Sequence, residues 1–225
     1  MIYLGDMRQV LPPLPEVDLI LTDPPYNIGF KYNTHDDSMS DDDYISMLRT
    51  MRDRARTVAV IQYPEETAKY VTPALGVPDE VIAWCYRSNI GRRFRLVSIF
   101  GQVPDYAREK QPYRNPDDKR VRALIQEGSE GTPLYDWWTD IELVKNVSAE
   151  KTEHPCPIPE RLAARLINLL TLPGETVLDP FSGGGTVPSV AVRMGRKGVG
   201  IEKDPKYHAI ALARFTTASA QGLLL

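Results

Sequence analysis

With 225 residues, 42% of them hydrophobic and 25% charged, the chain suffices for one large domain or for a domain with an inserted lobe. No apolar run approaches the ~18 residues that cross a bilayer, and the first ten residues lack the pattern of a signal peptide. We therefore expect an intracellular protein without membrane segments. Two cysteines without metal-site spacing and three scattered histidines argue against disulfides and a bound metal. The net charge of −3 argues against nucleic-acid binding over the whole surface.

Short runs rich in β-branched residues and bounded by proline, glycine or aspartate predict strands. These runs are Val17 to Thr22, Thr57 to Gln62, Glu80 to Tyr86, Phe94 to Phe100, Thr176 to Asp179 and Gly198 to Glu202. Helical spacing and capping residues predict helices outside them. These are Asp41 to Arg56 behind the N-cap Ser40, a short basic helix from a cap at Asn115 to Gln126, Pro159 to Leu170, and about Pro205 to Ser219. Because strands alternate with helices, we expect an open α/β sheet with helices on both faces.

The alternation breaks between Gly101 and Asp140, where a polar segment predicts a functional lobe. From Tyr86 to Arg122 the chain carries ten basic and four acidic residues, whereas the remainder is acidic. Such a segment is typical of local polyanion binding, although composition alone favours a solvated, charge-rich insertion about equally. The candidate residues for binding a polyanion are Arg87, Arg92, Arg93, Arg95, Arg114, Lys119 and Arg120.

A glycine-rich turn lies in the segment from Thr176 to Thr186, and a second strand that ends in Glu202 follows it. Strand, glycine turn, helix and acid-ended strand are typical of a nucleoside-binding βαβ unit, in which the acid accepts both ribose hydroxyls. The glycine spacing is not that of dinucleotide sites, and no P-loop lysine follows the turn. An adenosine ligand without a pyrophosphate fits best, and a simple tight turn is the alternative.

The apolar run that ends at Thr22 continues directly into Asp23-Pro24-Pro25-Tyr26. Prolines continue neither a sheet ladder nor a helix interior, so these residues predict a rigid loop at a strand end. α/β proteins commonly place their chemistry at such loops. A surface turn closed by proline is the alternative interpretation.

Together, the segments TDPPY and LDPFSGGGT resemble the amino-methyltransferases that act on DNA and use S-adenosylmethionine. The resemblance extends to GDMRQVLPPLPEVDLILTDPPYNIG and EHPCPIPERLAARLI, and it covers roughly residues 1–86 and 136–215. The catalytic loop comes first, then the basic segment, then the cofactor loop, as in the permuted beta class. The resemblance implies a Rossmann-like methyltransferase fold, circularly permuted, with a mixed, mostly parallel seven-stranded sheet and a small target-recognition lobe. It divides the chain into a catalytic half (1–100), the inserted lobe (101–136) and a cofactor-binding half (137–225).

The same resemblance implies which residues hold the cofactor. Asp6 would contact its adenine amino group, and Asp179 would lie near its charged methionine end. His154 and Pro155 belong to the segment that closes over the methionine end, where Ile158 replaces a lysine of many relatives. The remaining candidates are Asp23, Pro180, Phe181, Ser182, Gly183, Gly185, Thr186, Glu202 and Lys203.

The predicted loop chemistry follows from the poor nucleophilicity of an exocyclic amine, whose lone pair is delocalised into the ring. Acceptors aimed at its two N–H bonds, the Asp23 carboxylate and the Pro24 carbonyl, would favour the tetrahedral geometry needed for attack. Pro24 and Pro25 fix the loop, and Tyr26 would stack on a base extruded from the duplex, with help from Phe30.

An aspartate at the start of the loop resembles the adenine-directed members, so we expect N6-methyladenine in double-stranded DNA, with cytosine N4 as the alternative. Methylation of RNA or a protein amide, and a non-catalytic module, are less favoured because the loop is intact, begins with Asp23 and stands in the permuted order. The resemblance also implies a bacterial or phage protein acting in the cytoplasm within restriction–modification, with a homodimer as one possibility. Trp137 and Trp138 are expected to pack between lobe and body rather than to stack on bases.

Overall fold

The computed structural model describes residues 1–29, 37–88, 91–144 and 157–222. An eight-stranded mixed sheet organises these residues, in the spatial order β1-β10-β9-β2-β3-β5-β4-β8, and a separate ribbon pairs β6 with β7. Within the main sheet β5 runs antiparallel to both neighbours, and the other pairs are parallel. The strands are β1 (Ile2–Leu4), β2 (Val17–Thr22), β3 (Ala55–Gln62), β4 (Glu80–Cys85), β5 (Phe94–Phe100), β6 (Lys110–Gln111), β7 (Thr132–Pro133), β8 (Trp137–Trp138), β9 (Thr176–Asp179) and β10 (Lys197–Glu202).

Helices cover the sheet and connect its strands. They are α1 (Met7–Val10), α2 (Asp41–Arg49), α3 (Pro64–Glu66), α4 (Thr72–Leu75), α5 (Lys119–Gln126), α6 (Glu160–Leu170), α7 (Thr186–Arg193) and α8 (Pro205–Gly222), with a π-helical turn at Thr67–Val71 and a 3-10 turn at Tyr106–Arg108. None of the helices in these ranges is long and apolar enough to cross a membrane.

Two apolar cores lie on the two faces of the sheet, as the period of two in a strand requires. Leu19 and Leu21 of β2 join one core, which α6 and α7 cover. Ile20 between them joins the other core, which includes Tyr44 and Leu48 of α2. The near-continuous burial of β2 is the pattern of a strand covered on both faces. The expected α/β architecture is therefore present.

The main sheet has eight strands, whereas seven were expected. The short β8 adds an eighth strand because Trp137 and Trp138 pair with the edge strand β4. No sequence pattern indicated β1, which is only three residues long and pairs with β10. Of the two tryptophans, Trp138 is buried as expected, whereas Trp137 is 62% exposed.

Helix boundaries show where tertiary pairing overrides local periodicity. The helix expected to reach Arg56 ends at Arg49, because Ala55 already pairs with Val17 as the first residue of β3. The basic helix α5 is capped by Asp118, whose carboxylate accepts from two backbone N–H groups, rather than by Asn115. Helix α8 continues to Gly222, three residues beyond Ser219.

The parallel strands β2, β9 and β10 are neighbours, so their carboxyl ends meet at one edge of the sheet. Each of these ends carries one of the predicted functional segments: the proline loop after Thr22, the glycine turn after Asp179, and Glu202 itself. The fold thus brings together segments that lie more than 150 residues apart in the chain.

Candidate active site

The proline loop is half-buried at the end of β2. The Asp23 carboxylate is only 9% exposed, and its Oδ1 accepts a hydrogen bond of 2.6 Å from the Tyr26 hydroxyl. Its Oδ2 lies 3.5 Å from Nη1 of Arg95 on β5. Burial raises the pKa of Asp23, whereas the positive charge of Arg95 and the Tyr26 hydrogen bond act in the opposite direction. The loop is therefore held by Tyr26 within it and by Arg95 from β5.

A relay of hydrogen bonds fixes the loop backbone from the side of α2. The Tyr44 hydroxyl donates to the carbonyl of Pro25, and Gln62 Nε2 donates to the same hydroxyl at 2.9 Å. On the far side of the loop, the Asn27 side chain bonds the backbone N–H and carbonyl of Met39, at 2.7 and 3.0 Å. Asn27 itself adopts a positive φ of 57°, which asparagine tolerates better than most residues. Tyr44 thereby engages the carbonyl of Pro25 and not that of Pro24, the predicted acceptor for the substrate.

Beside the loop lies a cavity of about 280 Å³ at the carboxyl edge of the sheet. Residues from several separate segments line it, and Asp23 borders it directly. Six of the predicted cofactor-binding residues belong to the lining: Asp6, Asp23, Pro180, Phe181, Glu202 and Lys203. Among the described residues, the lining does not include Asp179, Ser182, Gly183, Gly185 and Thr186.

Glu202 anchors the glycine turn as well as facing the cavity. Its Oε2 accepts from the Gly183 N–H and its Oε1 from the Asp204 N–H, both at 2.8 Å. Each carboxylate oxygen retains a second lone pair for a ligand hydroxyl. Burial raises the pKa of Glu202, and these two hydrogen bonds act against that rise.

The turn requires glycine where α7 meets α8. Gly185 has φ of 76°, and a Cβ on it would lie 2.8 Å from the Cα of Ala211. Any side chain there would push α8 away from the turn. Thr186 is buried behind it and accepts from Arg214 at 2.9 Å. Gly185 and Thr186 therefore shape the turn and do not line the cavity.

Asp179 is the most deeply buried acid among the predicted site residues, at 2% exposure. It accepts from the Thr22 hydroxyl at 2.7 Å and from the Phe181 N–H at 3.0 Å, so it links β9 to β2 just behind the proline loop. Burial raises its pKa to about 7, with further contributions from the charges of Asp23 and Glu202.

Asp6 caps α1 and is paired with Arg8 at 2.7 Å, and the hydrogen bond from Arg8 lowers the pKa of this carboxyl. The pairing fixes the carboxylate at the cavity rim. His154 and Pro155, as well as Phe30, lie outside the described residues.

The predicted DNA-binding residues fall into three groups. Arg93, Arg114, Lys119 and Arg120 are exposed, as DNA contact requires. Arg87 pairs with Glu142 at 3.0 Å, and Arg92 pairs with Glu66 at 2.9 Å. The prediction that Arg95 binds DNA is wrong. Arg95 is 9% exposed and directed at Asp23, so its position does not suit phosphate contact from the surface.

Sequence reasoning missed the side chains that support the loop. These are Tyr44 and Gln62, Tyr63 against the Tyr26 ring, and the inward Arg95. One signal was available for Arg95, because it lies in the strand from Phe94 to Phe100, where a charged residue among apolar neighbours requires a partner. Among the described residues, no group of three acidic, histidine or cysteine side chains could hold a metal.

The fold and the cavity define a class: an α/β protein in which a polar proline loop and an acid beside a glycine turn line one cavity at the carboxyl edge of the sheet. The profile of the DNA methylase family N6_N4_Mtase matches residues 56–213, about two thirds of the chain, and the protein belongs to that family. The family predicted from the two motifs is thereby confirmed.

Individual relatives agree with the family assignment. The DNA adenine methyltransferase YhdJ of Escherichia coli is 27% identical over 241 residues, covering 96% of this chain and 81% of its own. Among solved structures, the protein TTHA0409 of Thermus thermophilus, a DNA modification methylase complexed with S-adenosyl-L-methionine, superimposes with a TM-score of 0.64 at 21% identity, covering 97% of this chain and 93% of its own. PvuII DNA methyltransferase, described as cytosine-N4-specific, gives a TM-score of 0.69 at 17% identity, covering 99% and 92%. The structural matches confirm the fold class.

Proposed function

We propose that the protein transfers a methyl group from S-adenosylmethionine to the N6 amino group of adenine in double-stranded DNA, at a short sequence and on an extruded base. The observation that carries the proposal is the shared cavity, in which the amine-directed Asp23 and the ribose-type acid Glu202 line the same space. A methyl donor bound through Glu202 would therefore lie beside the acceptor loop. The adenine methyltransferase named among the relatives supports the choice of base.

The cavity residues suit the parts of this cofactor. Glu202 would accept the ribose hydroxyls, Asp6 would accept from the adenine amino group, and Phe181 would supply an apolar surface for the purine. The buried Asp179 lies behind the loop, where a negative charge would stabilise the cationic methionine end. When bound, the cofactor supplies an electrophilic methyl group on a positively charged sulfur.

The chain's own contribution to the chemistry is to hold and polarise the amine. The Asp23 carboxylate accepts one N–H of the amine and the Pro24 carbonyl accepts the other, so that the nitrogen lone pair turns out of the ring plane towards the methyl group. Methyl transfer to this nitrogen would leave the amine positively charged, and the amine would then give up one proton. The Asp23 carboxylate, already hydrogen-bonded to this amine, is the nearest base for that proton. Tyr26 presents a ring on which the extruded base stacks.

DNA contacts would come from the lobe and from the segment that precedes β5. The exposed residues Arg93, Arg114, Lys119 and Arg120 offer four positive charges for backbone phosphates. Helix α5 carries two of these at its first turn and has no buried residue, so one face of it is free to lie along the DNA. A homodimer, and action in the cytoplasm of a bacterial host alongside a nuclease, are further proposals that rest on the type of relatives.

Cytosine N4 is the second candidate because the fold of a cytosine-N4-specific enzyme matches over almost the whole chain. Either amine fits the same pair of acceptors. The deciding experiment incubates duplex DNA of mixed sequence with the protein and isotopically labelled S-adenosylmethionine, then digests it to nucleosides for mass spectrometry. Labelled N6-methyladenine is expected. Labelled N4-methylcytosine would show that cytosine, and not adenine, is the methylated base. Label in neither nucleoside would refute the proposal.

A further inference from the structure

Arg95 occupies an unusual place for a charged side chain. Its guanidinium lies among four aromatic rings, 5.5 Å from the centroid of Tyr26, 5.2 Å from Tyr63, 5.5 Å from Trp84 and 5.8 Å from Tyr86. It is 9% exposed, and its Nε has no hydrogen-bond partner among the described residues. The acid facing it is Asp23, whose Oδ2 lies 3.5 Å from Nη1.

Burying such a cation is costly unless a specific interaction offsets the lost hydration. The rings offer cation–π attraction, which is too weak alone to replace the hydration of a guanidinium. An apolar side chain would fill the enclosure at lower cost, so packing does not explain why arginine stands there. The charge of Asp23 does explain it, because each charge offsets the burial of the other.

We propose that Arg95 is a positioning residue for methyl transfer: it holds Oδ2 of Asp23 and keeps the carboxylate ionised, so that Oδ1 is the oxygen offered to the substrate amine. This inference rests on the proposed function, in which Asp23 accepts a hydrogen bond from the amine. Arg95 reaches neither the methyl group nor the base in this role. It acts through Asp23.

The Tyr26 hydroxyl occupies the substrate's place on Oδ1 when no base is bound. Its bond of 2.6 Å satisfies the oxygen that would otherwise be a buried acceptor without a donor. An entering amine would take over this bond and free the Tyr26 ring to stack. Tyr26 lies edge-on to Tyr63, at 5.3 Å between ring centroids, so the neighbouring ring limits how far it turns. Arg95 holds the other oxygen during the exchange.

Several other ionisable groups surround Asp23 and enter the same balance. Asp179 on β9 is close enough for the negative charge of Asp23 to raise the pKa of Asp179. The rings of Tyr26, Tyr63 and Tyr86 lie near Arg95, and burial raises the pKa of Tyr26 well above its usual value. The ion pair of Arg92 with Glu66 lies next to Tyr63 and is internally compensated. Among these groups, Arg95 is therefore the cation that offsets the charge of Asp23.

The experiment measures the single-turnover rate of adenine methylation against pH, at saturating cofactor and DNA, for the wild type, Arg95→Met and Arg95→Lys. Methionine fills the enclosure without charge, and lysine restores the charge. The acidic limb of the profile should move up by about one pH unit or more in Arg95→Met, because a neighbouring opposite charge typically lowers a carboxyl pKa by about 1–3 units. Arg95→Lys should return most of that shift. Arg56→Met, which removes a charge paired with Glu175 at the opposite end of β3, should leave the limb in place.

A purely structural Arg95 predicts a different result: the rate falls at every pH, the limb stays where it is, and lysine rescues no better than methionine. That result, in variants whose circular dichroism and cofactor affinity match the wild type, would overturn the inference. If Arg95→Met does not fold, Arg95→Gln provides the same comparison with a polar, uncharged side chain of similar reach. A wild-type protein that methylates no adenine would overturn the proposed function and this inference with it, whereas an unmoved limb in an active enzyme overturns the inference alone.

Discussion

Replacing Glu202 by alanine should weaken S-adenosylmethionine binding more than any other single truncation in the cavity. The side chain accepts two hydrogen bonds, from the Gly183 and Asp204 N–H groups, and two lone pairs remain for the ribose. Hydrogen bonds to a charged group contribute ~1.5–3 kcal/mol. Loss of even one of the ribose bonds therefore predicts a dissociation constant about 10- to 150-fold higher.

The same substitution removes the acceptor for two buried backbone N–H groups. An unsatisfied buried donor costs ~1–3 kcal/mol, so the glycine turn should loosen and the protein without ligand should also lose stability. Calorimetric titration with S-adenosylmethionine, below the unfolding temperature of the variant, separates the two effects. Glu202→Gln keeps one carbonyl acceptor and should lie between alanine and the wild type.

Glu175→Ala is the matched control. Glu175 is also a strand-flanking acid and pairs with Arg56, but it precedes β9 and so stands at the opposite edge of the sheet from the cavity. Its loss should leave cofactor affinity unchanged. A dissociation constant for Glu202→Ala within about twofold of the wild type, well short of the tenfold that one charged hydrogen bond represents, would remove Glu202 from the cofactor site and refute the reasoning.

Three further predictions concern the loop, the buried acid and the lobe. Asp23→Asn should lower the single-turnover rate by about 100-fold or more, as loss of a pre-organised electrostatic partner does, while cofactor affinity changes little; retention of half the wild-type rate would contradict the proposed role of Asp23 as an acceptor for the amine. Asp179 should reduce the stability of the ligand-free protein as pH rises from about 4 to 7, because the folded chain keeps this proton up to about pH 7 and the unfolded chain releases it near its ordinary value; thermal unfolding of Asp179→Asn across this range should show a smaller decline, and an identical decline would contradict the assignment. Neutralising Arg93, Arg114 and Arg120 together should reduce the slope of log K against log salt for DNA binding by ~0.9 for each lost phosphate contact; an unaltered slope would place the DNA elsewhere on the surface.

The segments that touch the cavity could be predicted from sequence because each is defined by local chemistry. Two prolines after an apolar run predict a rigid loop, and three glycines before a helix predict a close backbone approach. Parallel neighbours then bring the ends of β2 and β9 together, which requires only the strand order. The positions of the loop and the turn follow from short-range rules, so they can be predicted without knowledge of side-chain packing.

The supports of the loop could not be predicted because they depend on long-range packing. Tyr44 lies 19 residues from Pro25, and Arg95 lies 72 residues from Asp23. Nothing in the local sequence of α2 distinguishes a tyrosine that only fills the core from one whose hydroxyl also donates a hydrogen bond to a loop carbonyl. Arg95 was assigned to DNA because it stands in a run of arginines, although the strand pattern turns its side chain inward while Arg92 and Arg93 remain exposed.

Charge around the cavity gives a physical reason to favour a cationic ligand over a neutral nucleoside. Asp23, Asp179 and Glu202 are all largely buried, and burial raises the pKa of each. Arg95 offsets the charge at the side of Asp23, whereas Asp179 behind the loop keeps its proton up to about pH 7 because it is buried near the negative charges of Asp23 and Glu202. A nearby sulfonium would favour the ionised form of Asp179 and bind to it, and the neutral thioether left after methyl transfer would do so less. The same carboxylates that hold the donor would therefore bind the spent cofactor more weakly, which favours its release.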